Sequence, residues 1–354
     1  MLISIGILAW NEEDVIEATL VSLFRQSVFQ GANSDLLGTE WEIVVVPNGC
    51  TDDTAAVARR VLVNLADQAC GQKIAFAVHE LEEPGKSNAW NYYIHEFSSR
   101  QADLILMIDA DIEFGEAETI SNTVKALMQN PRAVVAVDLP LKDAVKKSKK
   151  TLLEKISVAA SSVSTTGAPA IAGSFFCART DALRQIWMPK GLVVEDGFLR
   201  SMIVTDCFRS AIDETKIIRA ENATHYYETL TSFTEIFRHE LRMVIGTALN
   251  CYFTWDFLLF ATDPLGPGAG VLIRNRVEKD PSWYPTLIDN SIKNHGFWVL
   301  PRGMLFRRFS RFKYYSGLGL VKCTLIVTVG FLLDLAVFIA ANRRLKRGSI
   351  VGYW

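Results

Sequence analysis

An α/β fold, with helices flanking a mostly parallel sheet and a helical extension at the C-terminal end, is what the sequence predicts. Apolar runs of strand length recur through the first 110 residues, and each closes in a polar turn that leads to a helix-compatible segment. The last fifty residues then change character, becoming strongly apolar and basic together.

The first run, Ile3-Ser4-Ile5-Gly6-Ile7-Leu8, enters the turn Ala9-Trp10-Asn11-Glu12-Glu13. Trp41-Glu42-Ile43-Val44-Val45-Val46 ends in Pro47-Asn48-Gly49-Cys50-Thr51-Asp52. There Gly49 permits a tight turn, and Thr51 or Asp52 can cap the following helix. Ile74-Ala75-Phe76-Ala77-Val78 leads to Gly85-Lys86-Ser87-Asn88-Ala89, and Leu104-Ile105-Leu106-Met107-Ile108 ends in Asp109-Ala110-Asp111. Strands projecting side chains alternately place Asp109 and Asp111 on one face, about 6–7 Å apart. Two such carboxylates suit a hard divalent cation, Mg²⁺ or Mn²⁺, with substrate phosphates completing the shell. Ligands of parallel sheets gather at the carboxyl ends of the strands, so the four turns converge on one crevice. Farther on, Leu192-Val193-Val194 reads as a strand-like run feeding Glu195 and Asp196 to a helix start.

These segments resemble glycosyltransferase family 2. The matching motifs are Ala9-Trp10-Asn11-Glu12-Glu13, Pro47-Asn48-Gly49-Cys50-Thr51-Asp52, Gly85-Lys86-Ser87-Asn88-Ala89, Asp109-Ala110-Asp111 and Val194-Glu195-Asp196, in the family's order and spacing over residues 1–246. The resemblance implies a GT-A fold, Rossmann-like, and an inverting transfer from a nucleotide-diphosphate sugar. It places Ala9, Asn11 and Glu13 on base and ribose and Asn48 on the base edge. The family commonly has two acids where Pro47 and Asn48 stand, so uridine is favoured without being fixed. Lys86 is either a phosphate or base-side contact or an exposed loop lysine.

Asp109 and Asp111 are assigned by the resemblance to ribose and metal, with Asp111 the more direct ligand. Asp196 matches the acceptor-activating carboxylate, with Glu195 as its support. Gly173 and Ser174 match an acceptor-side strand, Ala172–Arg179. In Phe237–Gly246, Arg242 stands where the family has it and can neutralise diphosphate. His239 replaces the family's Gln and is read as a phosphate contact or third metal ligand, or as a satisfied surface histidine. Met243 replaces a Trp that contacts the acceptor in polymerising synthases, which disfavours a processive polysaccharide synthase. A non-catalytic nucleotide-sugar-binding homologue is disfavoured because all the acids needed for turnover remain.

Residues 301–354 carry ten Lys and Arg against one acid, Asp334, while residues 1–300 carry 27 basic and 38 acidic side chains. An acidic body argues against nucleic acid as a partner. Cys323–Ala341 is a 19-residue stretch whose one charge is Asp334, near the lower length limit for a membrane span. Arg343, Arg344, Lys346 and Arg347 form a flank of the kind kept on the cytoplasmic side. Upstream, Leu305–Tyr315 interleaves aromatic residues with cations, as interfacial helices do. The competing reading is a buried C-terminal helix with Asp334 as a paired core acid. The expected organisation is a catalytic domain over 1–246, an irregular acceptor-side region over 247–315, a membrane helix over 316–342 and a basic cytoplasmic tail over 343–354. The enzyme is expected at the cytoplasmic side of the cell membrane, acting on a lipid-linked or saccharide acceptor in cell-envelope or exopolysaccharide synthesis, with homo-oligomer formation possible through the C-terminal helix. Six cysteines without C-x-x-C spacing indicate neither a zinc ribbon nor a disulfide framework. The start of the sequence shows no signal-peptide pattern, and Lys142–Lys155 reads as a solvated helix face.

Overall fold

Alternation along the strands feeds two layers. Ile3, Ile5 and Ile7, with Ile43, Val45, Leu104, Leu106 and Ile108, bury one face, while Leu8, Val44, Val46, Ile105 and Met107 bury the other. A sheet apolar on both faces must be covered on both, which gives the three-layer arrangement of this computed structural model. It describes all residues except 32–35, 67–72, 152, 156, 159–160, 162–168, 302 and 349–354.

The strands are β1 (Leu2–Ala9), β2 (Glu40–Pro47), β3 (Ile74–Val78), β4 (Leu104–Asp109), β5 (Glu113–Phe114), β6 (Val135–Lys142), β7 (Phe175–Arg179) and β8 (Ile217–Tyr227). They lie in the order β3-β2-β1-β4-β7-β6-β8-β5. β1 pairs in parallel with β2 and β4, and β2 with β3, as expected. The other half is mixed: β7 runs antiparallel to both β4 and β6. Helices α1 (Ile16–Phe24), α2 (Thr54–Ala66) and α4 (Thr119–Gln129) supply one covering layer, and α3 (Lys86–Tyr92) supplies part of the other.

Three expectations need correction. Leu192–Val194 is not a strand; it is a loop ending at Val194 in a left-handed conformation (φ 61°, ψ 61°), from which α5 (Glu195–Val204) starts. Region 250–300 is mostly helical rather than irregular. After α6 (Phe233–Phe253) come α7 (Ala269–Lys279) and α8 (Trp283–Lys293). Pro264, Pro267 and Pro281 fall in the connections and Pro285 in the first turn of α8, where a missing N–H costs little. The Lys-rich stretch is not one helix face, because Lys142 closes β6 and Asp143–Lys146 form a single 3-10 turn.

The last helix, α9 (Gly317–Lys346), extends beyond the expected 342 and takes Arg343, Arg344 and Lys346 into its final turn. One side carries Cys323, Val327, Asp334, Val337, Phe338, Ala341 and Leu345 into the protein, and the other exposes Leu318, Val321, Leu325, Val329, Leu332 and Ile339. Asp334 therefore meets a guanidinium and not lipid. It is fully buried and accepts from Arg308 Nε at 2.7 Å and Nη2 at 3.0 Å, and from Arg307 Nη2 at 3.3 Å. Arg307 Nη2 also lies 2.5 Å from Glu240 on α6, which joins the C-terminal helix to a helix of the site. By length and composition α6 with its extension (Phe233–Ala261) and α9 could each cross a membrane.

Asp334→Asn removes the charge that two arginines face in a buried setting, so it should cost about 3 kcal/mol. Denaturant melts check this, and an unchanged midpoint contradicts the pairing.

Candidate functional site

The turns after β1, β3 and β4 meet α5 and α6 around a cavity of about 360 Å³. Trp10, Glu12, Lys86, Asp109, Asp111, Glu195 and Arg242 line it. Lys86 stands at its centre. As first residue of α3, after Gly85, it reaches Asp109 Oδ1 at 2.8 Å and Glu195 Oε1 at 3.0 Å. The ammonium therefore ties the end of β4 to the start of α5. Burial opposes its charge, but Asp109 and Glu195 hold its pKa well above the usual lysine range. Burial also opposes charge on Glu195, yet Lys86 and Arg242 draw that carboxyl below its usual range.

The remaining acids are under-neutralised. Burial lifts Asp109 to about 6, with Asp111 adding to the rise against the pull of Lys86. Glu12 is raised to about 7 by burial and then by Asp111, Asp109 and Asp52. Asp196, in the first turn of α5, is raised by burial and by Glu195. A surplus of hard oxygen donors beside an open cavity is the chemistry that a divalent cation satisfies, so Asp109 and Asp111 fit Mg²⁺ or Mn²⁺. Among the described residues no cluster of three His, Cys, Asp or Glu is arranged to hold a metal ion, so a bound ion would need ligands from the donor.

Several expected contacts sit elsewhere. Asn48 is fully buried, donating from Nδ2 to Ala9 O at 2.8 Å and accepting Gly85 N–H at Oδ1 at 3.0 Å. It fastens two loops and does not face the cavity. Ala9 is buried, and its carbonyl also accepts the Asn48 backbone N–H at 3.0 Å. Asn11 accepts Thr51 N–H at 2.8 Å and Glu13 accepts Asp53 N–H at 2.8 Å, so these side chains bind the first two turns to each other. The left-handed backbone of Asn11 (φ 56°) breaks the strand alternation, and this puts Trp10 and Glu12 on the cavity. His239 is exposed, does not line the cavity, and is surrounded by Glu240, Arg242, Lys142 and Arg307. Three cations there oppose a role as metal ligand.

Sequence reading also missed the supports. Val194 is a β-branched residue in the left-handed region, where it is strained. Asn250 Nδ2 donates to Val194 O at 2.9 Å, and Gly246 lies so close that a Cβ there would meet Val193 Cγ1 at 2.9 Å and Val193 O at 3.0 Å. Helix α6 thus clamps the turn that aims Glu195 and Asp196. On the other flank, fully buried His225 joins Asp138 Oδ2 at 2.8 Å and Ser174 Oγ at 2.9 Å. Ser174 O accepts Asp109 N–H at 2.9 Å, which fixes the end of β4. A side chain at Gly173 would approach Glu195 Oε1 at 3.1 Å, so glycine keeps room for the Lys86 bridge.

The sequence model described as Glycosyl transferase family 2 matches residues 4–187, about half of the chain. No curated protein matches in sequence. Among solved structures, the mannosyltransferase PcManGT from Pyrobaculum calidifontis, in complex with GDP-Man and Mn²⁺, is 16% identical with a TM-score of 0.55, over 97% of this chain and 86% of that one. Glucosyl-3-phosphoglycerate synthase from Mycobacterium tuberculosis, with Mn²⁺, UDP and phosphoglyceric acid, is 17% identical with a TM-score of 0.45, over 71% and 78%. At such identities the first likeness shows a shared fold.

Two outcomes are expected. Gly246→Ala should cost about 1–3 kcal/mol by pushing on the Val193–Val194 turn, read as a lowered melting temperature; an unchanged one contradicts the clamp. Glu12 titrates near 4.5 when unperturbed and near 7 in the native protein. Its contribution to stability is therefore full below about 4.5 and lost as pH rises through about 7. Metal-free Glu12→Gln should gain about 1 kcal/mol over the parent at pH 8, allowing for solvent screening, and gain much less at pH 5. An equal gain at both pH values contradicts the crowding of acids.

Proposed function

The chain belongs to glycosyltransferase family 2, and from that premise we propose that it transfers one sugar from a nucleotide-diphosphate sugar, a UDP-sugar being favoured, to a hydroxyl of a lipid-linked or saccharide acceptor, with inversion. The observation that carries this reading is the Asp109–Lys86–Glu195 bridge, which sets the acids suited to a cation and those suited to the acceptor around one cavity.

Asp109 and Asp111 would hold Mg²⁺ or Mn²⁺, which as a Lewis acid offsets charge on the departing diphosphate. Arg242, on the cavity wall, adds a fixed positive charge for the same purpose. Trp10 and Glu12 face the space between the first turn and the acid pair and are the side chains of that turn that reach the donor. Asp196 takes the acceptor proton; its raised pKa makes it a stronger base than an ordinary carboxylate. Glu195 stays ionised through Lys86 and keeps the start of α5 in place.

Attachment to the cytoplasmic face of a membrane is the second part of the reading. The outward side of α9 exposes a stripe that includes Leu318 at 84% and Leu325 at 66%, and Phe306 and Phe309 are exposed beside it. Basic residues close the helix. An apolar stripe with aromatic and cationic borders suits the headgroup boundary of anionic lipid.

Transfer or donor hydrolysis assayed with Mn²⁺ tests the chemistry. Asp196→Asn should lower turnover about 100-fold or more while keeping the thermal shift produced by manganese and a nucleoside diphosphate. Asp111→Asn should lose both. Wild-type rates in either variant would refute the assigned role.

A further inference from the structure

Glu240 sits among more positive charge than it can balance. It faces Arg307 Nη2 at 2.5 Å and Arg308 Nη2 at 3.2 Å, and it lies in the field of Lys142 and His239. The other carboxylate nearby, Asp334, is engaged by the same two arginines. With Arg242, the cations Lys142, Arg307 and Arg308 thus share two carboxylates, and His239 stands among them. Lys142 is the least compensated. It closes β6 half-buried and donates to Ser157 Oγ at 2.5 Å, with no carboxylate in ion-pair contact among the described residues. His239 and Arg242 are three residues apart on α6 and so share a face of the helix.

The location gives the cluster its meaning. Arg242 belongs to the wall of the donor cavity, whereas Arg307 and Arg308 lie on the segment that covers α9 beside its exposed apolar stripe. Arg308 packs over Gly330, where a Cβ would meet its Cδ at 2.9 Å. The cations therefore occupy the seam between the reaction cavity and the surface suited to lipid. Surplus positive charge in a partly desolvated seam favours an anion with several acceptor oxygens. The donor diphosphate has its own partners at Asp109, Asp111 and their cation, so the seam is left for the other substrate.

We propose that Lys142, His239 and Arg242 bind a phosphate group carried by the acceptor, with Arg307 and Arg308 supplying the field around it. This rests on the transferase reading above and narrows its acceptor to a phosphate-bearing molecule. The phosphate is borne either by a lipid reaching the seam from the membrane or by a soluble acceptor.

The full chain with manganese and uridine diphosphate is tested against two probes. One is phosphatidylcholine vesicles carrying hexadecyl phosphate, compared by flotation with vesicles carrying hexadecanol. The other is inorganic phosphate, read by thermal shift. Phosphate-dependent flotation identifies a lipid-borne group, and stabilisation by inorganic phosphate without vesicle preference identifies a soluble one. In Lys142→Gln with His239→Gln either response should weaken about tenfold or more. That double variant should keep the shift given by manganese and nucleotide, so failure of the acceptor site and failure of the donor reading leave different signatures. No response to either probe, or a full response in the double variant, overturns the proposal.

Discussion

One ammonium group holds the two halves of this site together. Lys86 lies between Asp109, at the end of a central strand, and Glu195, at the start of a helix on the opposite wall. Without it, the carboxylates of Glu12, Asp109, Asp111, Glu195 and Asp196 would crowd one cavity with Arg242 as the remaining wall cation. The raised pKa values of Asp109 and Glu12 show that one lysine does not fully neutralise the corner. Such a site is prepared for more positive charge than the chain supplies, and a divalent ion with its diphosphate meets that need.

The surrounding structure keeps this arrangement from relaxing. His225 and Asp138 fix Ser174, whose carbonyl holds the backbone of Asp109. Asn250 and Gly246 hold Val194 in an unfavourable conformation, and α5 begins from it. Strain of this kind persists only where neighbours over-determine it, and here the neighbour is α6. The same helix bears Arg242 and, through Glu240, joins the arginines that seat α9. Reaction cavity and apolar surface are thus two sides of one helix.

Much of the fold was legible because apolar runs with period-two alternation and polar turns are local signals. The parallel strands β1 to β4 follow from them directly. The mixed half of the sheet was not legible, since β7 inserts between β4 and β6 across a sequence separation that no local pattern encodes. The acid pair and Asp196 were found by motif and spacing. Asn48 was misread because its polarity suggested a ligand contact, whereas burial spends its amide on Ala9 and Gly85. Glu12 was passed over because strand alternation was carried past Ala9, where the left-handed Asn11 ends it. Asp334 shows the same limit: apolar neighbours in sequence suggested lipid, and its partners came from a segment more than twenty residues away.

The most direct measurement is anomalous diffraction at the manganese edge, from crystals grown with Mn²⁺ and uridine diphosphate. The account predicts a peak bound by the carboxylates of Asp109 and Asp111 and by phosphate oxygens, with Lys86 still within reach of Glu195. Manganese bound away from these two aspartates, or a nucleotide seated in the cavity with neither of them engaged, would contradict it.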